Sequence, residues 1–153
     1  MPRFFALSFA VLLALGLAAC NPVENFDEAT DQIDRFQSHL SYGDVDEMYL
    51  MGSPMFRKST SLADLRNQVG VISLRLGPVE TTQRTSFNVN TTPAGTRTVV
   101  TMQTRFEQGE GVETYTFVGN GENMRLEGWN VNSSRLMITA EDMKALQDMQ
   151  SAE

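Results

Sequence analysis

The period of the hydrophobic pattern changes at Gly77-Pro78, and this change limits the folds open to the chain. Before it, apolar residues recur every three or four positions, which is the spacing of one face of an α-helix. After it, the composition shifts to Thr, Val, Phe, Asn and Arg, and the period drops towards two, as in half-buried β-strands. Helices followed by strands, rather than alternating with them, predict an α+β fold with an antiparallel sheet.

Three helices are predicted in the first half. The apolar stripe of the first consists of Phe26, Ala29, Ile33, Phe36 and Leu40. We expect Gly43 to end this helix and Asp44 to cap a second, short helix over 45–51, which Gly52-Ser53-Pro54 would end. A third helix begins at Ser61-Leu62-Ala63-Asp64, a variant of the capping box. Its apolar stripe consists of Leu62, Leu65, Val69 and Ile72.

Four antiparallel strands are predicted in the second half, over 79–91, 96–107, 112–118 and 124–132. The face of the second strand that we expect to be buried consists of Thr98, Val100, Met102, Thr104 and Phe106. In the last strand, Met124 and Leu126 share one parity, whereas Trp129 and Val131 share the other. Both pairs can face the core only if the strand slips by one residue, and Gly128 is suited to such a bulge. The pattern therefore predicts a sheet that bends there.

The first residues have the profile of a signal peptide. Arg3 precedes an apolar run over 4–19, in which Ser8 is the only polar side chain. A transmembrane helix needs roughly 20 apolar residues. This run is shorter and ends in small residues, as a cleaved export signal does. We therefore exclude residues 1–19 from the fold.

The apolar run ends in a short motif around the single cysteine of the chain, which consists of Leu17, Ala18, Ala19 and Cys20. It resembles the bacterial lipobox, in which a leucine stands three positions before the cysteine and small residues fill the gap. In proteins with this motif the thiol receives a diacylglyceryl group and the peptide is cut before the cysteine. The resemblance implies a lipid-anchored protein of the bacterial cell envelope. The alternative is an ordinary secretory signal, cut after Ala18, which leaves a free thiol.

Cys20 and the residues that follow it are expected to form a short tether over 20–25. Such a segment spans less than about 20 Å when extended, so the domain would lie close to the lipid headgroups. Residue 21 is Asn. In the sorting rule of enteric bacteria an Asp at that position favours the inner membrane, so the resemblance implies the outer membrane, with the domain facing the periplasm.

A second resemblance concerns the domain itself. Its segments include, in order, SYGDVDEMYLM, SPMFRKS, RLGPV and MRLEGWNVNS. Their arrangement resembles the nuclear transport factor two-like fold, also called ketosteroid-isomerase-like or cystatin-like. More narrowly, it is similar to an uncharacterised bacterial envelope family that often ends in Trp-Arg-Leu-x-Gly-Tyr-Asn-Val. Here Met124 replaces the first Trp and Trp129 replaces the Tyr. The resemblance covers about residues 26–133 and implies N-terminal helices packed on a curved, mainly four-stranded antiparallel sheet, shaped as a cone with a pocket at its open end.

The expected organisation is a signal peptide over 1–19, a lipidated cysteine and tether over 20–25, the α+β domain over 26–135 and a helical extension over 136–153. In the extension, Thr139 can cap a helix over 140–150. The apolar residues of that helix are Met143, Leu146 and Met149. This stripe can pack back on its own domain or dock a partner.

No set of residues is predicted to be catalytic. His39 is the only histidine, so neither a multi-histidine metal site nor a Ser-His-Asp triad has more than one imidazole to use. Its place near the end of the first helix suits the helix dipole. Glu113 shares the parity of Tyr115 and Phe117 but matches no catalytic motif of the family. The net charge of −7 argues against a nucleic-acid partner, and we expect no metal and no cofactor.

We therefore expect a membrane-anchored envelope lipoprotein, attached through a covalent lipid on Cys20, that binds an envelope protein partner without catalysis. The alternative is a small-molecule carrier or a ketosteroid-isomerase-like enzyme that uses the pocket of the cone. The residues expected to line such a pocket are Tyr42, Tyr115, Phe117 and Trp129. An apolar cavity with a buried acid would favour the alternative, whereas a cone filled by side chains would count against it.

Overall fold

The computed structural model describes residues 22–137, which form the predicted α+β architecture. Four helices come first: α1 Pro22–Tyr42, α2 Val45–Leu50, α3 Pro54–Ser59 and α4 Leu62–Leu76. Four strands follow: β1 Val79–Thr92, β2 Gly95–Phe106, β3 Gly109–Val118 and β4 Arg125–Asn132. Single 3₁₀ turns lie at Gly121–Asn123 and Ser134–Leu136. The strands pair antiparallel in the order β1-β2-β3-β4, as one open, curled sheet.

The first helix begins earlier than its apolar stripe predicts. Helix α1 starts at Pro22, since proline is tolerated in the first turn of a helix. The side-chain Oδ1 of Asn25 accepts a 3.0 Å hydrogen bond from the backbone N–H of Gly121, which ties this turn to the segment before β4. Residues 22–25 are therefore helical, so α1 begins four residues before the start that its apolar stripe predicts at Phe26. At the other end, Gly43 has a φ of 74° and ends the helix as predicted.

Helix α3 is not predicted by the sequence pattern, because Pro54 is interpreted there as a helix end. In the structure Pro54 occupies the first turn of α3, where its missing N–H has no helical partner to lose. The hydroxyl of Ser53 caps the helix by accepting a 3.1 Å hydrogen bond from the N–H of Phe56. The Phe56 ring is buried and fixes the turn against the core.

Helices α4 and α2 begin with different kinds of cap. The predicted capping box at α4 is confirmed: Ser61 Oγ accepts from the N–H of Asp64, and the Asp64 carboxylate accepts from the N–H of Ser61. The predicted side-chain cap of α2 is wrong, since Asp44 makes no such bond. Its carboxylate instead lies 3.6 Å from Nδ1 of His39.

The sheet follows the predicted alternation closely. Every second residue of β2 from Thr96 to Phe106 is buried. In β4 the register passes from Thr116 opposite Gly128 to Phe117 opposite Leu126, which leaves Glu127 as the extra residue of a bulge. Leu126 and Trp129 both lie in the core, so the predicted slip of the strand is confirmed.

One hydrophobic core fills the space between the helices and the sheet. From α1 and α4 it receives Ala29, Ile33, Phe36, Leu40, Leu65, Val69, Ile72 and Leu76. From the sheet it receives Val100, Met102, Phe106, Tyr115, Phe117, Leu126 and Trp129. Burial of a Leu, Ile, Val or Phe side chain stabilises the fold by roughly 1.5–3 kcal/mol. The packing of the helices on the sheet therefore fixes the side chains of the site described below.

Two groups of predictions fall outside residues 22–137. The lipobox-like residues Leu17, Ala18, Ala19 and Cys20 precede that range, and the predicted C-terminal helix over 140–150 follows it. Within the range itself, no helix combines the length and the apolar character needed to cross a membrane.

Candidate functional site

The carboxylate of Glu113 lies fully buried at the centre of the sheet. Strand alternation places it on the same face of β3 as Tyr115 and Phe117. Its neighbours across the sheet are Met102 on β2 and Val131 on β4. A carboxylate removed from water in this way costs several kcal/mol unless hydrogen-bond donors satisfy its oxygens.

Four donors satisfy the Glu113 carboxylate, two on each oxygen. Oε1 accepts from the phenol of Tyr115 at 2.7 Å and from the indole Nε1 of Trp129 at 3.0 Å. Oε2 accepts from Nε2 of Gln37 at 2.9 Å and from the hydroxyl of Thr104 at 2.5 Å. The donors come from α1, β2, β3 and β4, so this one side chain connects the helix layer to three strands.

The network extends to the edge strand through a further threonine. The hydroxyls of Thr82 on β1 and Thr104 on β2 are 3.0 Å apart. The side-chain amide of Gln37 lies 3.4 Å from the Thr82 oxygen. We name the set Gln37, Thr82, Thr104, Glu113, Tyr115 and Trp129 the carboxylate cluster.

The phenol of Tyr115 is fixed as a donor by its surroundings. Burial raises the pKa of Tyr115 well above its usual value, and the nearby Glu113 charge raises it further. Both effects oppose a phenolate, because burial disfavours any charge and a carboxylate repels a second negative one. Tyr115 therefore stays protonated, and its phenol O–H donates a hydrogen bond to Glu113.

Aromatic rings fill the space around the carboxylate cluster. The ring of Phe36 meets Tyr115 and Trp129 edge to face, with centroids 5.6 and 4.8 Å apart. Tyr115 stacks on Phe117 at 6.3 Å. All four side chains are buried. A general base must reach a substrate proton within hydrogen-bonding distance, and here the positions around both carboxylate oxygens are occupied by protein donors.

The structure brings three of the four predicted pocket residues together. Tyr115, Phe117 and Trp129 are all buried on the face of the sheet that packs against the helices. Tyr42 does not join them, since it is 80% exposed at the end of α1. It comes two residues after the buried Leu40, and two steps along a helix turn a side chain about 200° away.

Open clefts on the surface are lined by other residues. One of about 700 Å³ lies where the β1–β2 hairpin ends, beside the ion pair of Arg97 and Glu127. A second, of about 410 Å³, contains Glu28, Arg35 and Arg125. Neither cleft contains a residue of the carboxylate cluster, and a smaller one of about 270 Å³ between β1 and β2 contains only Thr82 of that cluster.

The described part of the chain also carries large apolar side chains on its surface. They are Tyr42, Leu50, Met55, Val71, Leu74, Val112 and Met137. Of the methionines at helical spacing, Met48 is fully buried, Met51 is partly buried and Met55 is 59% exposed. In the range 22–137, no group of three or more His, Cys, Asp or Glu side chains is placed to hold a metal ion.

Sequence reasoning finds part of the carboxylate cluster and misses part of it. Alternation places Glu113, Tyr115 and Thr104 on inward faces. Gln37 and Thr82 are missed, although Gln37 carries a signal: it comes four residues after Ile33 and three before Leu40, on the buried side of α1. A polar residue within an apolar helical stripe indicates a buried hydrogen-bond partner.

The comparisons with known proteins leave the function to be argued from the chain itself. No protein-family model matches the sequence, and a search of the curated proteins gives no match. The geometry of the carboxylate cluster and of the surface is therefore the basis for the proposals below.

Proposed function

We propose that this protein is a lipid-anchored module of the bacterial envelope, which binds an envelope protein partner through its surface and performs no catalysis. The observation that carries the proposal is the filled interior of the domain. Both oxygens of the Glu113 carboxylate already accept two hydrogen bonds, and aromatic rings pack around them. Binding therefore falls to the surface.

The anchor is supported by the sequence before the domain. Leu17, Ala18 and Ala19 precede Cys20 with the spacing of a lipobox, and acyl chains stabilise membrane attachment by about 0.8 kcal/mol per buried methylene. Because α1 begins at Pro22, only Asn21 would separate the lipidated residue from the helix. The proposal therefore places the domain directly above the headgroups of the outer membrane, on its periplasmic side.

The alternative function, an isomerase-like enzyme, has one observation in its favour. Glu113 and Tyr115 form a buried pair of carboxylate and phenol, and such groups serve as base and oxyanion donor in that chemistry. For a substrate to reach Glu113, however, at least one of its four donors must withdraw, and Phe36, Tyr115 and Trp129 must separate. The packing favours a structural role for the pair.

The anchor is tested by replacing its attachment residue in living cells. Cys20→Ala removes the only thiol of the chain, so we expect loss of acyl labelling and release of the domain from the membrane fraction. The matched control is Asn21→Asp, which should keep the label but move the protein from the outer to the inner membrane. Unchanged membrane retention of Cys20→Ala would contradict the anchor.

The binding role is tested by photo-cross-linking in cells. A photoreactive residue is placed at Tyr42, Leu50 or Met55, which expose large apolar side chains, and at the exposed polar position Asn90 as a control. We expect one discrete protein adduct at an apolar position, absent at Asn90 and dependent on Cys20. No adduct at any position, together with a small molecule retained by the purified protein in native mass spectrometry, would favour the enzyme or carrier instead.

A further inference from the structure

An apolar groove lies beside α4. This helix buries Leu65, Val69, Ile72 and Leu76, but Val71 is 49% exposed. The groove has a volume of about 320 Å³ and lies between α4 and the end of β4. Its lining consists of Asn67, Gln68, Val71, Ile72, Val131 and Leu136. Its lining is mainly apolar, unlike that of the cleft that contains Glu28, Arg35 and Arg125.

The chain leaves the described domain at this groove. Leu136 belongs to the lining, and Met137, the next residue, is 62% exposed. The guanidinium of Arg75 on α4 donates to the carbonyl oxygens of Arg135 and Met137, both at 3.3 Å. The hydroxyl of Ser133 donates to the carbonyl of Glu110 at 2.6 Å. These bonds hold residues 133–137 beside α4 and the start of β3.

The residues that follow have the composition of an amphipathic helix. Residues 138–153 have the sequence ITAEDMKALQDMQSAE, and the stripe of Met143, Leu146 and Met149 predicts a helix over 140–150. Thr139 and Asp142 stand at the same spacing as Ser61 and Asp64, which form the capping box of α4.

Charge suits the groove as well. The α4 residues that line it lie within 67–72 and span roughly 8 Å of that helix, so a helix over 140–150, roughly 16 Å long, would cover the groove and extend along α4. The acidic residues of the segment are Glu141, Asp142, Asp148 and Glu153. Arg75 donates to the carbonyl oxygens of the segment that follows β4, so its positive charge lies near the start of this acidic segment and is complementary to it. The short connection also gives the segment a high effective concentration at this site.

We propose that residues 138–153 dock into the α4 groove of their own chain, with Met143, Leu146 and Met149 against Val71 and Leu136. The inference goes beyond the proposed function and does not depend on it. Docking covers an apolar surface that the domain alone leaves open. It also removes the α4 groove from the surface available to an envelope partner.

Site-directed cross-linking tests the docking. The full chain carries Cys20→Ser, so that the introduced thiols are the only ones, together with Val71→Cys and Leu146→Cys. A short bismaleimide is added to a mixture of isotopically labelled and unlabelled protein, and peptide mass spectrometry separates bridges within one chain from bridges between chains. The control pair is Asn90→Cys with Leu146→Cys, because Asn90 lies near the far end of β1. We expect a within-chain yield about tenfold or more above this control.

A second pair tests whether the apolar stripe is responsible. With Val71→Cys and Met149→Cys in place, Leu146→Glu should reduce the within-chain yield to the control level. Gln147→Glu adds the same charge beside the stripe and should leave the yield unchanged. Equal yields for the two charge variants, a yield no higher than that of the Asn90 control, or bridges only between chains would each overturn the proposal. Bridges between chains would assign the groove to a second copy.

Discussion

The phenol of Tyr115 donates a 2.7 Å hydrogen bond to Oε1 of Glu113, two residues earlier on the same strand. Side chains two positions apart on a strand point the same way, so the strand itself brings this donor and acceptor together on the face that packs against α1. The contact marks the centre of the carboxylate cluster, where Gln37, Thr104 and Trp129 donate the other three hydrogen bonds to the carboxylate. We interpret the cluster as the polar part of the core.

Replacement of the central acid tests this interpretation. In Glu113→Gln an amide NH₂ takes the place of one acceptor oxygen. This new donor then faces two donors of the protein, either Gln37 and Thr104 or Tyr115 and Trp129. Leaving buried polar groups unsatisfied costs about 1–3 kcal/mol, and we expect this loss in the free energy of unfolding measured by urea denaturation. The control is Glu110→Gln on the same strand, whose side chain is 65% exposed; it should change stability by less than about 0.5 kcal/mol. Equal stabilities of the two variants would contradict a structural role for Glu113.

The pH dependence of stability follows from the phenol of Tyr115. In the unfolded chain a tyrosine ionises at about pH 10, whereas burial, and then the Glu113 charge, raise the pKa of Tyr115 well above that value in the fold. The folded state therefore holds a proton that the unfolded chain releases. The contribution of Tyr115 is full below about pH 10 and is lost above it as the pH rises towards the folded-state pKa, by at most about 1.4 kcal/mol per pH unit.

Two measurements check this pH dependence. Urea denaturation above pH 10 should show the decline in the parent protein and a shallower decline in Tyr115→Phe. Ultraviolet titration of the folded protein should show that Tyr115 resists ionisation above pH 10. Ionisation of Tyr115 near pH 10 without unfolding would contradict its burial.

The aromatic packing predicts a large difference between two positions of α1. Phe36 is buried and meets Tyr115 and Trp129 edge to face, so Phe36→Ala should cost about 3–5 kcal/mol. Tyr42 on the same helix is 80% exposed, so Tyr42→Ala should change stability by less than about 0.5 kcal/mol. Thermal unfolding followed by circular dichroism measures both. A comparable loss for Tyr42→Ala would place its ring in the interior instead.

The cap of α3 gives a smaller, local prediction. Ser53 is buried, and its hydroxyl accepts the hydrogen bond of the Phe56 N–H. Ser53→Ala removes that acceptor, and loss of such a cap costs about 0.5–2 kcal/mol. Ser86→Ala on the exposed part of β1 serves as the control in the same denaturation experiment. A Ser53→Ala variant as stable as the parent would show that Phe56 alone holds this helix.

Much of the fold is predictable from local patterns, and its exceptions have physical causes. The bulge in β4 follows from alternation, because Leu126 and Trp129 can both be buried only with an extra residue between them. Helix α3 is missed because proline both ends helices and begins them. The buried cap at Ser53 and the burial of Phe56 show that Pro54 begins a helix here.

The carboxylate cluster is predictable only within the sheet. Parity places Glu113 beside Tyr115, but it does not show that Gln37, on the first helix, supplies a donor to Oε2. That contact depends on how α1 lies across the strands. The same packing explains Tyr42, whose residue type suits a pocket while its angular position on α1 directs it to solvent.

Exchange of the Trp129 indole proton tests the central claim, a closed interior around Glu113, most directly. Trp129 is the only tryptophan, so its Nε1–H gives one unambiguous NMR signal, and this proton is donated to Glu113 in the core. We predict that it exchanges with solvent only through global unfolding, with a free energy of exchange equal to that from urea denaturation. Exchange through openings several kcal/mol below global unfolding would show that the cluster opens to solvent and ligands. That result would contradict the account.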